Sequence, residues 1–268
     1  VYAEDIDGDG DMDVLSSSVY DYWISWYEND GSENFTEYTI PRETDFTISV
    51  YAEDVDGDGD MDLLSASQVD NTIAWYENDG SESFTEHAIS TSAHYAHSVY
   101  AEDVDGDGDM DVLSASRYDN KIAWYENEGI GSFTEHAIST SAYDARSVYA
   151  IDIDSDGDMD VLSATSDGIT WYENNGSESF TEYAIPTSAY SSVRSIYASD
   201  LDGDGDIDVF SASSTDDKIS FYENDGSEIF TEFVLSTSAD NAWSVHAADL
   251  DGDGDMDVLS ASLSDNKV

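Results

Sequence analysis

The sequence contains no cysteine, so no disulfide framework supports it and zinc sites built on thiolates are ruled out. Basic residues are nearly as scarce. Lys and Arg number 7 against 62 Asp and Glu, a formal net charge of -55. Nucleic acid and anionic membrane surfaces are thereby excluded as natural partners, because both are gripped through clustered Lys and Arg. No run of apolar residues approaches the roughly 18 of a membrane span, which argues against membrane insertion. No stretch sustains a helical hydrophobic period. The chain opens on Val1-Tyr2-Ala3 without an initiator Met or a signal peptide, and so reads as a processed or excised segment.

What is present is a substantial apolar fraction. Hydrophobic residues make up 40% of the chain and aromatics 12%, enough for a real core and unlike a disordered acidic tail. Self-repulsion at this charge opposes compaction unless cations neutralise it, so cations are expected to be part of the fold. Two acceptor sequons, Asn34-Phe35-Thr36 and Asn175-Gly176-Ser177, are compatible with secretion.

Self-alignment supplies the organising feature. Tyr2, Tyr51, Tyr100, Tyr149, Tyr197 and His246 share one register, at spacings of 49, 49, 49, 48 and 49 residues. Periods of this size signify propellers or solenoids. Four short segments rich in Val, Ile, Tyr, Trp, Phe and Thr recur in each unit, as in Ser98–Asp103, Met110–Ala115, Lys121–Glu126 and Phe133–Ile138, separated by Asp, Asn, Gly and Ser. That is strand-and-turn chemistry, and turns such as Asn29-Asp30-Gly31 predict a tight hairpin between the third and fourth segments. The expected fold is all-β: a β-propeller of four-stranded antiparallel blades, six repeats with the last one incomplete. The expectation is a single domain over 1–268, with repeats 1–49, 50–98, 99–147, 148–195, 196–244 and a partial 245–268. The final unit stops at Lys267-Val268, where its third strand should begin, which favours a fragment of a longer chain over a ring closing on an incomplete blade. Trp26, Trp75, Trp124, Trp171 and Phe221 hold one position of the third strand and are read as aromatic plugs between neighbouring blades.

Between the first and second strands lies a D-x-D-x-D-G-x-x-D loop with a further Asp at its seventh position. Its six copies are Asp5, Asp7, Asp9, Asp11 and Asp13; Asp54, Asp56, Asp58, Asp60 and Asp62; Asp103, Asp105, Asp107, Asp109 and Asp111; Asp152, Asp154, Asp156, Asp158 and Asp160; Asp200, Asp202, Asp204, Asp206 and Asp208; and Asp249, Asp251, Asp253, Asp255 and Asp257. Ser155 stands where the other loops carry Gly at position 4. Calcium takes six to eight oxygens. Carboxylates at positions 1, 3, 5 and 9, a backbone carbonyl at position 7 and a water supply that number, while Gly at position 6 permits the sharp turn. Without a cation, each close carboxylate pair costs about 1 to 4 kcal/mol at effective dielectrics of about 80 to 20. An EF-hand would need helical flanks and a bidentate Glu at position 12, where this chain has Ser16, Ser65 and Ser114 between strand-like segments. Together with the Asp-Val-Leu-Ser-Ala-Ser and Ile-Ala-Trp-Tyr-Glu-Asn strands, these loops resemble the FG-GAP or VCBS repeat family of integrin-α-like propellers. The resemblance spans essentially the whole chain and implies an extracellular or cell-surface propeller whose loop aspartates bind calcium. Integrin heads differ in having seven blades, of which only some carry calcium.

Strand alternation places the acidic loops and the tight hairpins on one rim, and the remaining loops on the other. The repeats vary almost wholly on that second rim, at Arg42 to Phe46, His94 to His97, Tyr143 to Arg146, Tyr190 to Arg194 and Asp240 to Trp243, and at Tyr20, Tyr22, Trp23, Arg117 and Tyr118. Arg117, Tyr118, Tyr143, Arg146, Tyr190, Arg194 and Trp243 are the candidate ligand-binding residues, since guanidinium and aromatic groups suit a protein partner or a sugar ring; relaxed drift of unconstrained loops is the competing account. The five histidines form neither a catalytic nor a zinc set, and no nucleophile has a base at readable spacing. The expectation is therefore not an enzyme but a secreted or cell-surface adhesion, scaffold or protein-interaction module. A lectin-type carbohydrate binder and an accessory propeller of a polysaccharide-degrading enzyme are the alternatives.

Overall fold

A computed structural model of the chain describes residues 1–18, 23–32, 34–40, 46–81, 83–129, 131–188 and 192–264. It divides into two compact units, Val1–Ser141 and Ala142–Val268. The first unit holds three four-stranded antiparallel sheets: β1 (Tyr2–Glu4), β2 (Asp13–Ser17), β3 (Ile24–Asn29) and β4 (Phe35–Ile40); β5 (Thr47–Glu53), β6 (Asp62–Ser67), β7 (Thr72–Asn78) and β8 (Phe84–Ser90); and β9 (Ala96–Glu102), β10 (Asp111–Ser116), β11 (Lys121–Asn127) and β12 (Phe133–Ser139). The second holds two more, β13 (Ser147–Ile151) to β16 (Phe180–Ile185) and β17 (Val193–Ser199) to β20 (Phe230–Ser236), followed by a two-stranded sheet of β21 (Ala242–Ala248) and β22 (Asp257–Ser262). Among the described residues there is no helix, and the all-β reading stands. The sixth repeat contributes two strands; Lys267 and Val268 lie outside the described residues.

Each sheet pairs its strands in chain order, as a blade does. The second strand of each complete blade from β6 onward is buried along its whole length, because both its faces are covered, whereas the outermost strands β4 and β16 are mostly exposed. Continuous apolar burial of a short strand requires packing on both faces. Within each unit the packing partner is the neighbouring blade. Trp75 of β7 lies in one core with Val99, Ala101, Val112 and Tyr125 of the third blade, and Trp26 in another with Val50, Ala52, Leu63 and Tyr76 of the second. In the second unit Trp171 packs among Val193, Ile196, Val209 and Tyr222. These are the interblade plugs that the sequence predicted.

The innermost strands carry a ladder of rings. Tyr2, Tyr51 and Tyr100 stand at centroid separations of 4.6 and 4.8 Å, and Tyr149, Tyr197 and His246 at 5.7 and 4.5 Å. One face of every first strand is thereby fixed against its neighbour within the unit, and the loop that follows starts from a set position.

Candidate metal centres and the variable rim

Each acidic loop leaves the first strand at position 1 and re-enters the second at position 9. Its turn is tight because Gly10, Gly59, Gly108, Gly157, Gly205 and Gly254 adopt φ between 94° and 100°, a region that side-chain-bearing residues avoid. The departure at position 4 is accommodated: Ser155 takes φ 59°, the left-handed conformation its glycine counterparts use.

The carboxylates shape the loop themselves. Backbone N–H groups donate to Asp5 Oδ2 from Gly10 (3.0 Å), to Asp7 Oδ1 from Asp9 (3.1 Å) and to Asp9 Oδ1 from Asp11 (2.9 Å). The second loop repeats the set on Asp54, Asp56 and Asp58 at 3.0, 3.1 and 3.0 Å. Each of these carboxylates therefore spends one oxygen on the chain. The other oxygen at position 1, Oδ1 of Asp5 and of Asp54, is buried and has no hydrogen-bond partner. A buried carboxylate oxygen without a donor is costly, and a cation removes that cost. Oxygens of Asp5, Asp7 and Asp9 lie within 4.8 Å of one another, as do those of Asp54, Asp56 and Asp58. Where the third member differs it is position 9: the sets are Asp103, Asp105 and Asp111; Asp152, Asp154 and Asp160; and Asp200, Asp202 and Asp208. The residues fit a hard divalent cation.

Electrostatics agree with geometry. Burial, reinforced by neighbouring aspartates, holds Asp7, Asp56, Asp105 and Asp154 above the usual carboxylate range. At position 9, burial pushes Asp62, Asp111 and Asp208 up to about 6 and Asp160 to about 7, against the hydrogen bonds they accept.

Position 9 has a role beyond the ligand set. Asp13 Oδ1 accepts the Asn29 N–H at 2.7 Å, and Asp13 Oδ2 accepts the Ile6 N–H at 3.2 Å and the Trp26 indole at 2.9 Å. Asp62 repeats all three, with Asn78, Val55 and Trp75. The carboxylate thus ties loop, plug and hairpin together. Position 7 faces the hairpin: a β-carbon on Gly31, Gly80, Gly129, Gly176 or Gly226 would overlap the carboxylate of Asp11, Asp60, Asp109, Asp158 or Asp206. The sequence marks the hairpin asparagines as turn residues of every complete repeat, but their bonds to the acidic loop and the aspartate-to-indole bonds were not foreseen.

On the opposite rim, the Arg117 guanidinium lies 5.1 Å over the Tyr95 ring, and Tyr95 stacks on Tyr118 at 4.3 Å. Tyr118 is 69% exposed. Tyr95 holds φ 60°, unusual for a bulky residue, and its N–H is held by Asn71 Oδ1 at 2.9 Å. Arg194 lies 4.3 Å over Trp243, 36% exposed, with its Nε donating to Ser214 at 2.9 Å. Tyr143 is also exposed. Arg146 is a correction: it is 7% exposed, paired with Asp144 and bonded to Ser192, and so belongs to the framework and not to an open surface. Asp144 draws it inward, being held in turn by Ser166 at 2.7 Å. Tyr190, Tyr20, Tyr22 and Arg42 lie outside the described residues. His87 and His136 sit on equivalent outer strands, each bonded to a glutamate of the adjacent strand at 2.8 and 2.7 Å.

The sequence matches the family model of the FG-GAP-like repeat over residues 5–65, 54–114, 103–163, 152–211 and 200–260, each match running from one acidic loop into the next. No curated protein matches it. Solved structures resemble the fold. A lectin from Agrocybe aegerita that recognises non-reducing terminal N-acetylglucosamine superposes with a TM-score of 0.67 at 17% identity, covering 97% of this chain and 73% of the lectin. A protein from Lactobacillus plantarum gives 0.63 at 15% identity over 94% and 78% of the two chains. The V. cholerae biofilm matrix protein gives 0.57 at 18%, over 91% of this chain and 40% of its own. At these identities the likeness is one of fold.

Proposed function

The chain belongs to the FG-GAP-like repeat family, and from that premise we propose that it is a noncatalytic, calcium-binding propeller module, secreted or held at a cell surface, that serves adhesion or scaffolding through its variable rim. The observation that carries the calcium reading is the pair of buried, unpartnered oxygens, Asp5 Oδ1 and Asp54 Oδ1, at the heads of loops already short of positive charge. Aspartates at positions 1, 3 and 5 would hold the ion in the loops of Asp5 and Asp54, and those at positions 1, 3 and 9 in the loops of Asp103, Asp152 and Asp200. Bound calcium supplies positive charge to oxygens that the chain leaves without donors. Oxygen-only loops of this kind on extracellular modules work at about 10⁻⁴ to 10⁻³ M calcium, which is the argument for an extracellular setting.

The rim reading rests on one guanidinium-over-ring pair in each unit: Arg117 with Tyr95, next to exposed Tyr118, in the first, and Arg194 with Trp243 in the second, where Tyr143 is also exposed. Rigid aromatics with Arg forks are favoured at protein hot spots. A lectin-type role is the second reading, favoured by the exposed Tyr118 ring on its Tyr95 support, which offers a flat face to a sugar. Titration calorimetry of the metal-free chain with CaCl₂ tests the calcium assignment: binding near the number of loops supports it, and fewer than three sites overturns it. A glycan array separates a sugar from a protein partner.

A further inference from the structure

Every acidic loop carries an apolar residue at position 2, between two aspartates: Ile6, Val55, Val104, Ile153, Leu201 and Leu250. An apolar side chain flanked by charges is out of place on a solvated loop. The structure shows where it goes. Ile6 lies in one core with Val50, Ala52, Leu63 and Tyr76 of the second blade. Val55, 1% exposed, joins Val99, Ala101, Val112 and Tyr125 of the third. In the second unit Ile153 joins Ala198, Val209 and Tyr222 of the following blade, and Leu201 packs against the core that holds Val245 and Ala247 of the last sheet. Leu250, with no later sheet among the described residues, is 59% exposed. In the loops of Ile6, Val55, Ile153 and Leu201 the residue is a knob driven into the next blade.

Two further contacts tie the knob to the end of its own loop and to the loop that follows. Its own N–H donates to the ninth aspartate, at 3.2 Å for Val55 to Asp62, so its backbone cannot move independently of the loop. Its carbonyl can be held from the far side: Asn127 Nδ2 donates to Val55 O at 2.9 Å and to Met110 O of the third loop at 3.1 Å, while the Asn127 N–H is held by Asp111 at 2.8 Å. The space between consecutive loops is a cavity of about 200 Å³ lined by Asp54, Val55 and Gly57 from one and Gly108, Asp109 and Met110 from the next, and an equivalent cavity of about 210 Å³ separates the first loop from the second.

We infer that Ile6, Val55, Ile153 and Leu201 are positioning residues which couple their cation sites to the docking of the following blade. Seating Val55 in the third blade fixes Asp54 and Asp56 on either side of it, and drawing those carboxylates together seats Val55. Calcium sites in consecutive blades of one unit are therefore cooperative, with Asn127 bridging the second loop to the third. The inference rests on the calcium reading proposed above.

The test is a calcium titration of the full chain by calorimetry, with folding followed by circular dichroism. Three variants are compared with the parent. Val55→Ala shortens the knob without touching a carboxylate; Val99→Ala removes the same groups from the same core away from any loop; Asn127→Ala removes the bridge. The expected result is positive cooperativity in the parent, a loss of about tenfold in affinity at one site in V55A, about 1.4 kcal/mol, a weakening of two sites in N127A, and unchanged affinities in V99A. Parent-like affinity in V55A, or equal losses in V55A and V99A, would overturn the coupling while leaving calcium binding intact. No heat of binding in the parent would bring down the calcium reading and the coupling together. Should V55A fail to fold, N127A decides alone: parent-like affinities at every site would overturn the coupling.

Discussion

The indole of Trp26 donates a 2.9 Å hydrogen bond to the buried carboxylate of Asp13, two residues thirteen apart in sequence. The bond joins the end of an acidic loop to the plug of an interblade core, so the polar and apolar halves of the repeat stand on one carboxylate. The same link recurs at 2.8 Å between Trp75 and Asp62.

Replacing that carboxylate should cost stability with or without calcium. In Asp62→Asn the amide group cannot accept all three donors that now converge, from Val55, Trp75 and Asn78. Each orphaned buried donor costs about 1–3 kcal/mol. Denaturant unfolding in calcium and in chelator should show a loss in both; parental stability in chelator would mean that Asp62 acts solely as a ligand.

Two glycines in one repeat should respond differently to alanine. Gly8 has open space around a β-carbon, and its counterpart Ser155 already tolerates the left-handed conformation, so Gly8→Ala should cost only the strain of that conformation, about 1–2 kcal/mol. Gly31→Ala meets the Asp11 carboxylate as well. Its loss should be larger, and thermal melts giving equal losses would show that the hairpin-to-loop contact carries no weight.

On the rim, Arg146 and Arg194 share a register but not a role. Arg146→Ala breaks a buried ion pair and should destabilise the chain by about 3–5 kcal/mol. Tyr118→Ala, at an exposed site, should change stability by about 0.5 kcal/mol or less and abolish capture of the partner. Retained binding in Tyr118→Ala together with Trp243→Ala would remove the rim from the account.

Much of this was legible in the sequence because the repeat averages out accident. The second strand reads as a short apolar run in every repeat, and five aspartates in nine residues have few uses besides a cation. The divergent fates of Arg146 and Arg194 were not legible: they depend on what the adjoining loop offers, Asp144 and Ser192 in one case, Ser214 and Trp243 in the other. The ninth aspartate's hold on Trp26 was hidden for the same reason, since it arises only when β2 and β3 pair Leu15 with Trp26. The knob at position 2 was visible as a pattern, one apolar residue among aspartates six times over, but its meaning required the neighbouring blade.

Chelation tests the central claim, that calcium is part of the fold. Six ions would raise the formal charge from -55 to -43. Binding to the native state alone stabilises by about 2.7 kcal/mol per site at calcium 100-fold above the dissociation constant, while a whole domain is typically stable by about 5–15 kcal/mol. The melting temperature should therefore fall by tens of degrees when calcium-saturated protein is transferred into excess chelator, and return when calcium is restored. A melting transition unchanged by chelator would contradict the account.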